Sequence, residues 1–303
     1  MKRTSIIAAS NQKGGVGKTT SVINLASSYA AMGKKVLIID SDYQANATVG
    51  LGIEQSETKE QKNLHTAFAS ELSLDQVVIP TAFENLDIVA GSEKLAQFEL
   101  SVSGTPRQSV LFENLLNSKK TSEYDIVFID IHPNLGAFFQ SIMKAAHYYY
   151  IPLFPEKFSA IGLQKQFIAT EEVRKYLNRM LTCLGGLITQ FDKSRDSHIH
   201  AVEVIEKIST EAKFGLIQTR IPYSKVVSDA QAYNLPLNRY QYSKGQPVAH
   251  AYSAVAAELA TKLKGQRTGA AFKPVEIDKI RDTNPNQASK IKRGRRINRE
   301  QQQ

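Results

Sequence analysis

A stretch near the N-terminus combines lysines, glycines and threonines at a spacing suited to binding phosphate. It lies between a short apolar run at residues 6–9 and a helical pattern, and it reads Lys13-Gly14-Gly15-Val16-Gly17-Lys18-Thr19-Thr20. Glycines let several backbone N–H groups approach one anion, and a helix start adds unsatisfied donors and the positive end of its dipole. We therefore predict that Lys18 contacts the β- and γ-phosphates of a nucleotide and that the Thr19 hydroxyl binds Mg²⁺.

The spacing of this stretch departs from the common phosphate loop. The common pattern, G-x-x-x-x-G-K-[ST], needs a glycine five residues before Gly17, and Gln12 stands there instead. The variant present, K-G-G-x-G-K-T, resembles the deviant phosphate loop of the ParA/MinD group of ATPases. The resemblance implies that residues 13–20 bind ATP and that Lys13 reaches across a dimer interface to the nucleotide of the partner subunit.

Two apolar runs, at residues 35–40 and 124–130, each end in an aspartate. Such runs predict parallel strands that are buried on both faces and have their carboxyl ends at the ligand edge of the sheet. The first run continues into residues 40–48, which resemble the family's switch segment D-x-D-P-Q-x-N-A-T, with Tyr43 in place of the proline. An aspartate in such a place that has no catalytic role would cap a helix or face solvent.

The resemblance also implies roles for these aspartates. Asp42 would orient or polarise the attacking water, which makes it the third catalytic residue beside Lys13 and Lys18. Asp130 would be the Walker B carboxylate that holds the metal, and Asp40 would support the metal shell. The implied metal site therefore consists of Thr19, Asp40 and Asp130.

Two further segments extend the implied site. Residues 130–136 stand where the family has D-x-P-P-S-L-G, with His132 at the first proline. We prefer to interpret His132 as a tolerated substitution in a loop; the alternative is a switch residue that senses pH or the γ-phosphate. Thr189, Gln190 and Pro222 match positions at which the family lines the adenine pocket.

Strand patterns alternate with helical patterns along most of the chain. Strands are predicted at residues 6–9, 35–40, 86–90, 124–130, 148–154, 184–189 and 216–221, and helices near 20–32, 94–100, 109–116, 163–180 and 248–263. The fold class expected is α/β: a doubly wound, mostly parallel sheet with helices on both faces. The resemblance spans about residues 4–264, so we expect an ATPase domain at 1–264 and a basic, flexible tail at 265–303.

The composition indicates which kind of partner and which cellular compartment to expect. The chain has 303 residues and a net charge of +9, and residues 265–303 hold ten Lys or Arg and four Asp or Glu, a net of +6. A basic excess of this kind favours a polyanion as partner, although a basic tail with no further role would look the same. One cysteine, Cys183, and the lack of a long apolar run or signal peptide favour the cytoplasm. The resemblance to the ParA/MinD group implies nucleoid association in the ATP state.

The resemblance implies a DNA partition ATPase that forms an ATP sandwich dimer. This dimer would bind DNA without sequence preference and would hydrolyse ATP slowly until a ParB-like adaptor or other cargo-bound activator stimulates it. Only ten residues precede Asn11, so the family version with an N-terminal helix-turn-helix domain is not expected. The candidate DNA contacts are Arg220, Lys225, Arg239 and Lys244, with the tail residues Lys290, Lys292, Arg293, Arg295 and Arg296 in support.

Other members of the group fit the sequence less well. A membrane-surface ATPase of the MinD kind needs an amphipathic C-terminal helix, and from residue 288 onward the only large apolar residues are Ile291 and Ile297. A reductase of the nitrogenase iron-protein type needs two cysteine ligands from each subunit, and the chain has one cysteine. Positioning of a protein cargo and a metabolic synthetase remain open alternatives.

Overall fold

The computed structural model describes residues 4–54, 62–156, 159–243 and 246–265. Within them a seven-stranded sheet has the order β3-β4-β2-β5-β1-β6-β7, and only the pair β3 and β4 is antiparallel. The mostly parallel, doubly wound sheet predicted from the sequence is therefore confirmed. The strands are β1 Ser5–Ala9, β2 Val36–Asp40, β3 Val78–Pro80, β4 Leu86–Val89, β5 Ile126–Asp130, β6 Tyr148–Leu153 and β7 Thr182–Ile188.

Helices connect the strands and cover the sheet. No described helix has both the length and the apolar character needed to cross a membrane. Short 3₁₀ turns occupy Pro106–Val110, Lys119–Glu123 and Gln241–Ser243. The α-helices are α1 Lys18–Ala31, α2 Asn46–Gly50, α3 Leu64–Ala69, α4 Leu74–Val77, α5 Lys94–Val102, α6 Leu111–Leu116, α7 Ala137–Ala145, α8 Ser159–Tyr176, α9 Asp196–Ala212, α10 Val226–Ala232 and α11 Pro247–Leu263.

Both faces of the sheet are buried, as the unbroken apolar strands require. In β1, Ile6 and Ala8 belong to one hydrophobic cluster, whereas Ile7 and Ala9 belong to a second cluster on the other face. The same alternation holds in β2 and β5, because successive side chains of a strand point to opposite faces. These strands therefore lack a solvent face, and their polar residues are confined to their ends.

The register of the central strands brings those polar ends together. Strand β5 lies between β1 and β2, with Asp130 paired to Ala9 on one side and to Asp40 on the other. The loop after β1 and the aspartates that end β2 and β5 consequently meet at one edge of the sheet. This edge is where ligands of open parallel sheets bind.

One predicted strand is wrong: residues 216–221 form isolated bridges to β7 and its extension instead of a strand. The ladder is interrupted because the N–H groups of Gln218 and Thr219 donate to the Glu258 carboxylate of α11 instead. Further differences concern elements that were not predicted or were given other bounds. Helices α2, α3, α4, α7, α9 and α10 and edge strand β3 were not predicted, and α5 continues through Val102 into residues expected to form a loop.

Candidate functional site

The predicted phosphate loop joins β1 to α1 and has the backbone that its glycines allow. Gly15 and Gly17 have φ values of 72° and 79°, in the left-handed region that other residues rarely adopt. Gly17 is the residue that caps the start of α1, and Val16 beside it is buried and anchors the loop. The N–H groups at the start of α1 are therefore directed into the loop, as a phosphate site requires.

Two side chains from the end of β7 hold this loop from the opposite side. The Thr189 hydroxyl donates to the Val16 carbonyl at 2.8 Å, and the Gln190 side-chain amide donates to the Gly15 carbonyl at 2.9 Å. A Cβ at Gly17 would contact Thr189 at 3.6 Å. Both residues were predicted to line an adenine pocket; here they also shape the loop itself.

Lys18 lies at the base of the loop with its ammonium group buried. Its Nζ donates to the carbonyl of Lys13 at 2.9 Å, and the residue is 7% exposed. Burial lowers the pKa of Lys18, while the neighbouring carboxylates of Asp130 and Asp42 act in the opposite direction. The positive charge is therefore held between the loop and the aspartates that end the central strands.

The Asp40 carboxylate is fully occupied by hydrogen bonds from its own chain segment. The N–H and hydroxyl of Thr48 both donate to Oδ2, at 2.8 and 2.7 Å, and the N–H of Asp42 donates to Oδ1 at 3.2 Å. Burial raises the pKa of Asp40 to about 6, although the Thr48 bonds oppose the rise. Asp40, predicted to support the metal shell, thus shapes the switch segment that carries Asp42.

The Asp130 carboxylate is also buried, but it differs from that of Asp40 in its hydrogen bonding. Among the described residues, neither of its oxygens has a hydrogen-bond partner of normal geometry. Burial and then the charge of Asp40 raise the pKa of Asp130 to about 8, and the nearby Thr19 hydroxyl and Lys18 offset this only in part. A buried carboxylate without partners is what a divalent cation can satisfy.

The donor set therefore fits Mg²⁺ held jointly by protein and ligand oxygens. The described residues contain no group of three or more His, Cys, Asp or Glu that could hold a metal ion by themselves. Mg²⁺ commonly uses one or two protein ligands and takes the remainder from phosphate and water. Thr19 and Asp130, two of the three residues predicted for the metal site, lie close enough together to serve as those protein ligands.

The loop opens into a cleft of about 720 Å³. Its wall includes Pro222 and Thr189, as predicted for a nucleotide site, and the side chain of Gln231 donates to the Thr20 hydroxyl at its rim. The cleft is large enough for a nucleotide, whose sites commonly measure about 300–1,000 Å³. The loop and switch residues that line it are Gly14, Gly15, Gly17, Lys18, Thr19, Thr20, Asp42, Gln44, Asn46 and His132.

Lys13, Arg220, Lys225 and Arg239 do not line this cleft. The Lys13 ammonium pairs with Glu156. Arg220 pairs with Glu206 at 2.5 Å and lies over the Phe191 ring at 5.2 Å from its centroid. Lys225 and Arg239 are exposed. Lys244 and the basic tail residues lie outside the part of the chain that the structure describes.

Three contacts at the site were missed by the sequence reasoning. His132 Nδ1 lies 2.8 Å from Asp42 Oδ1, and Glu156 pairs with Lys13. Gly91, after β4, approaches the switch so closely that a Cβ would lie 2.9 Å from Cγ of Asp40. Each contact joins segments far apart in sequence; the only signal that could have indicated one of them is that His132 and Tyr43 both depart from the family pattern.

Asp130→Asn should stabilise the ligand-free protein at alkaline pH. The folded-state pKa values of Asp40 and Asp130 exceed the ordinary value of 3.8, so the folded protein binds more protons between about pH 4 and pH 8. The free energy of unfolding should therefore fall as pH rises through that window. Removing the Asp130 charge should flatten this fall and add roughly 2 kcal/mol or more at pH 8.

Urea unfolding of the ligand-free protein across pH 4 to 8 measures this effect. Asp75→Asn, an exposed aspartate of α4, is the matched control and should retain the wild-type slope. An Asp130→Asn slope equal to that of the wild type would show that burial of this carboxylate carries no such cost.

The doubly wound sheet, the left-handed loop that opens α1 and the buried aspartates that end β2 and β5 define a P-loop NTPase fold with a deviant phosphate loop. Residues 4–183 match a family described as an AAA domain. The chain is 32% identical to the sporulation initiation inhibitor protein Soj of Bacillus subtilis over 256 residues, which cover 84% of this chain and 98% of that protein.

Further comparisons agree with this class. The chain is 30% identical to the chromosome partitioning protein ParA of Caulobacter vibrioides, over 88% of this chain and 97% of that one. Among solved structures, apo McdA of Cyanothece shares the fold with a TM-score of 0.75, at 19% identity and with coverage of 85% of this chain and 100% of that chain. The chain belongs to the ParA/MinD family of Walker-type ATPases.

Proposed function

We propose that this protein is a partition ATPase that uses ATP and Mg²⁺ to switch between a monomer and a DNA-bound dimer. The observation that carries the proposal is the buried Asp130 carboxylate, which has no hydrogen-bond partner of normal geometry among the described residues and lies near Lys18 and Thr19 of the phosphate loop. Burying a carboxylate and an ammonium group in this way costs folding free energy unless a cation and an anion bind there. A nucleotide triphosphate with its metal supplies both.

The roles of the chain's own groups follow from their positions. The N–H groups of the loop and the Lys18 ammonium bind phosphate oxygens, and the Thr19 hydroxyl and Asp130 hold the metal. Mg²⁺, when bound, neutralises charge that develops on the transferring phosphoryl group. Asp42, which lines the cleft, orients the attacking water.

Dimerisation and DNA binding form the remainder of the proposal. Lys13 leaves Glu156 and meets the nucleotide of the partner subunit, so the dimer forms with ATP and not with ADP. The dimer then associates with the nucleoid through Arg220, Lys225 and Arg239, with Lys244 and the basic tail beyond the described residues in support. Hydrolysis is slow until a cargo-bound adaptor of the ParB kind stimulates it.

The experiment that tests this function is an ATPase assay with three additions. Turnover by the purified protein is measured alone, with nonspecific duplex DNA, and with DNA plus the product of the adjacent gene. We expect a low basal rate that rises when DNA and the adaptor are both present. Absence of hydrolysis under all three conditions would contradict the proposal.

Neutralising Arg220 and Lys225 together should weaken ATP-dependent DNA binding. Each lost phosphate contact should reduce the slope of log affinity against log salt by about 0.9. Neutral glutamines are preferred to charge reversal because Arg220 faces Glu206, and a second carboxylate there would repel it. Band shifts across a salt series with ATP and with ADP measure the effect.

The matched control replaces two exposed lysines elsewhere, Lys34→Gln with Lys119→Gln, and carries the same net charge. Removal of residues 265–303 should weaken binding in both nucleotide states and leave the ATP dependence in place, because it removes +6 of charge and none of the described residues that line the cleft. Binding to anionic vesicles but not to DNA in the ATP state would favour a membrane-surface ATPase instead.

A further inference from the structure

His132 and Tyr43 come from the ends of neighbouring strands and meet above the switch aspartate. Their ring centroids are 3.8 Å apart at an interplanar angle of 35°. Both residues stand where the family pattern has proline, and a proline has neither an aromatic ring nor a side-chain donor. The two departures therefore form one contact and not two unrelated substitutions.

The imidazole makes a hydrogen bond to the residue assigned to orient water. His132 Nδ1 lies 2.8 Å from Oδ1 of Asp42, and the two side chains are 15% and 9% exposed. A carboxylate can only accept hydrogen bonds, so Nδ1 must carry the hydrogen and act as the donor. The N–H of Gln44 donates to the same oxygen at 2.9 Å.

These two donors restrict rotation of the Asp42 carboxylate about its Cβ–Cγ bond, a rotation that otherwise costs little energy. The terminal torsion of an aspartate has a broad, two-fold distribution, so a carboxylate held at one point rotates readily. Two donors on Oδ1 fix the plane of the Asp42 carboxylate, and the stacked Tyr43 ring restricts the imidazole that supplies one of them. In the described residues, Oδ2 of Asp42 accepts no hydrogen bond, and Asp42 lines the cleft.

We propose that His132 is a positioning residue for Asp42: its Nδ1–H holds Oδ1 so that Oδ2 is presented to the attacking water, and Tyr43 keeps the imidazole in place. This inference rests on the proposed function, because it refines the role given to Asp42 in hydrolysis. It assigns one joint task to two residues that the family pattern does not contain.

His132→Ala should lower kcat for ATP by about 10-fold or more, the loss expected for a hydrogen bond to a charged group, and leave KM within about two-fold. His132→Asn should recover most of the rate because its side-chain amide can place a donor close to the position of Nδ1. His132→Gln, whose amide lies one bond farther out, should not. Equal rates for His132→Ala and the wild type, or failure of Asn to rescue, would overturn the proposal.

Tyr43→Ala tests the second half of the arrangement. It should lower kcat less than His132→Ala does, and the double variant should lose no more than His132→Ala alone, because both act through one hydrogen bond. Additive losses would overturn the joint assignment. His250→Ala, an exposed histidine of α11, is the control and should retain the wild-type kcat.

A measurement without nucleotide separates this inference from the proposed function. Long-range ¹H–¹⁵N correlation spectra report which imidazole nitrogen carries the hydrogen, and the His132 signal is identified by its loss in His132→Ala. We expect the hydrogen on Nδ1 in the wild type and loss of that preference in Asp42→Ala. If the wild type fails to hydrolyse ATP but keeps the Nδ1 signature, the proposed function fails and the contact stands; a hydrogen on Nε2 alone overturns the contact.

Discussion

Asp42→Ala should abolish turnover while leaving a stable ATP-bound dimer. The substitution removes the carboxylate that orients water, a group of a kind that contributes about 10²–10⁴-fold to rate. It leaves the phosphate loop, Lys18 and the Thr189 and Gln190 bonds intact, so ATP binding and dimerisation should persist. Hydrolysis is followed by phosphate release, and the dimer by light scattering with ATP.

Lys18→Ala should give the contrasting result. The buried ammonium of Lys18 is the positive charge nearest the aspartates, and its loss should weaken ATP binding by about 10- to 100-fold, the worth of a hydrogen bond to a charged group. Dimerisation should then be lost together with hydrolysis.

Asp75→Ala is the matched control for Asp42 and should behave as the wild type. A wild-type hydrolysis rate in Asp42→Ala would refute the role given to this residue.

Much of the fold was predictable because its central strands are buried on both faces. Residues 35–40 and 124–130 are unbroken apolar runs that end in aspartate, a pattern that indicates both a parallel strand and its ligand edge. Helix α9 was missed although its buried residues recur at helical spacing, and strand β3 was missed because its three residues give a weak periodic signal. The strand expected at 216–221 failed because a distant carboxylate, Glu258, takes its N–H groups.

Parts of the candidate site were predictable from the sequence: Thr189, Gln190 and Pro222 only through the family resemblance, and other residues from local patterns. The phosphate loop and the two strand-ending aspartates carry local patterns with a chemical reason. The contacts between segments do not: Thr189 holds Val16 across 173 residues, and His132 bonds to Asp42 across 90. Their partners are set by which loops the sheet order brings together, and periodicity contains no information about that order.

The site contains two buried carboxylates that differ in their hydrogen bonds and in their pKa values. Asp40 has three hydrogen bonds from its own segment and a pKa raised to about 6, whereas Asp130 has no hydrogen-bond partner of normal geometry among the described residues and a pKa raised to about 8. The first arrangement suits a residue that organises the switch. The second suits a residue whose partner arrives with the ligand, so ligand binding should stabilise the fold by removing the cost at Asp130.

Lys13→Gln should leave nucleotide binding by the monomer nearly unchanged and abolish ATP-dependent dimerisation. Lys13 is ion-paired with Glu156 outside the cleft, so its ammonium is dispensable for its own subunit's phosphate loop, while its main chain accepts the bond from Lys18 in either variant. In the dimer the same ammonium would meet the γ-phosphate of the partner subunit, and glutamine cannot supply that charge. Lys34→Gln, past the far end of α1, is the control for loss of an exposed lysine.

The ion pair between Lys13 and Glu156 implies that a substitution at Glu156 should have the opposite effect and strengthen the ATP dimer. Dimerisation must first release Lys13 from Glu156, and a partly exposed pair of this kind contributes about 0.2–1 kcal/mol. Glu156→Gln should therefore tighten the ATP dimer by up to about five-fold, and it should leave Lys13→Gln monomeric when the two are combined. Analytical ultracentrifugation with ATP and with ADP measures both effects, and a dimer that forms equally well with ADP, or in Lys13→Gln, would contradict the assignment of Lys13 to the partner's nucleotide.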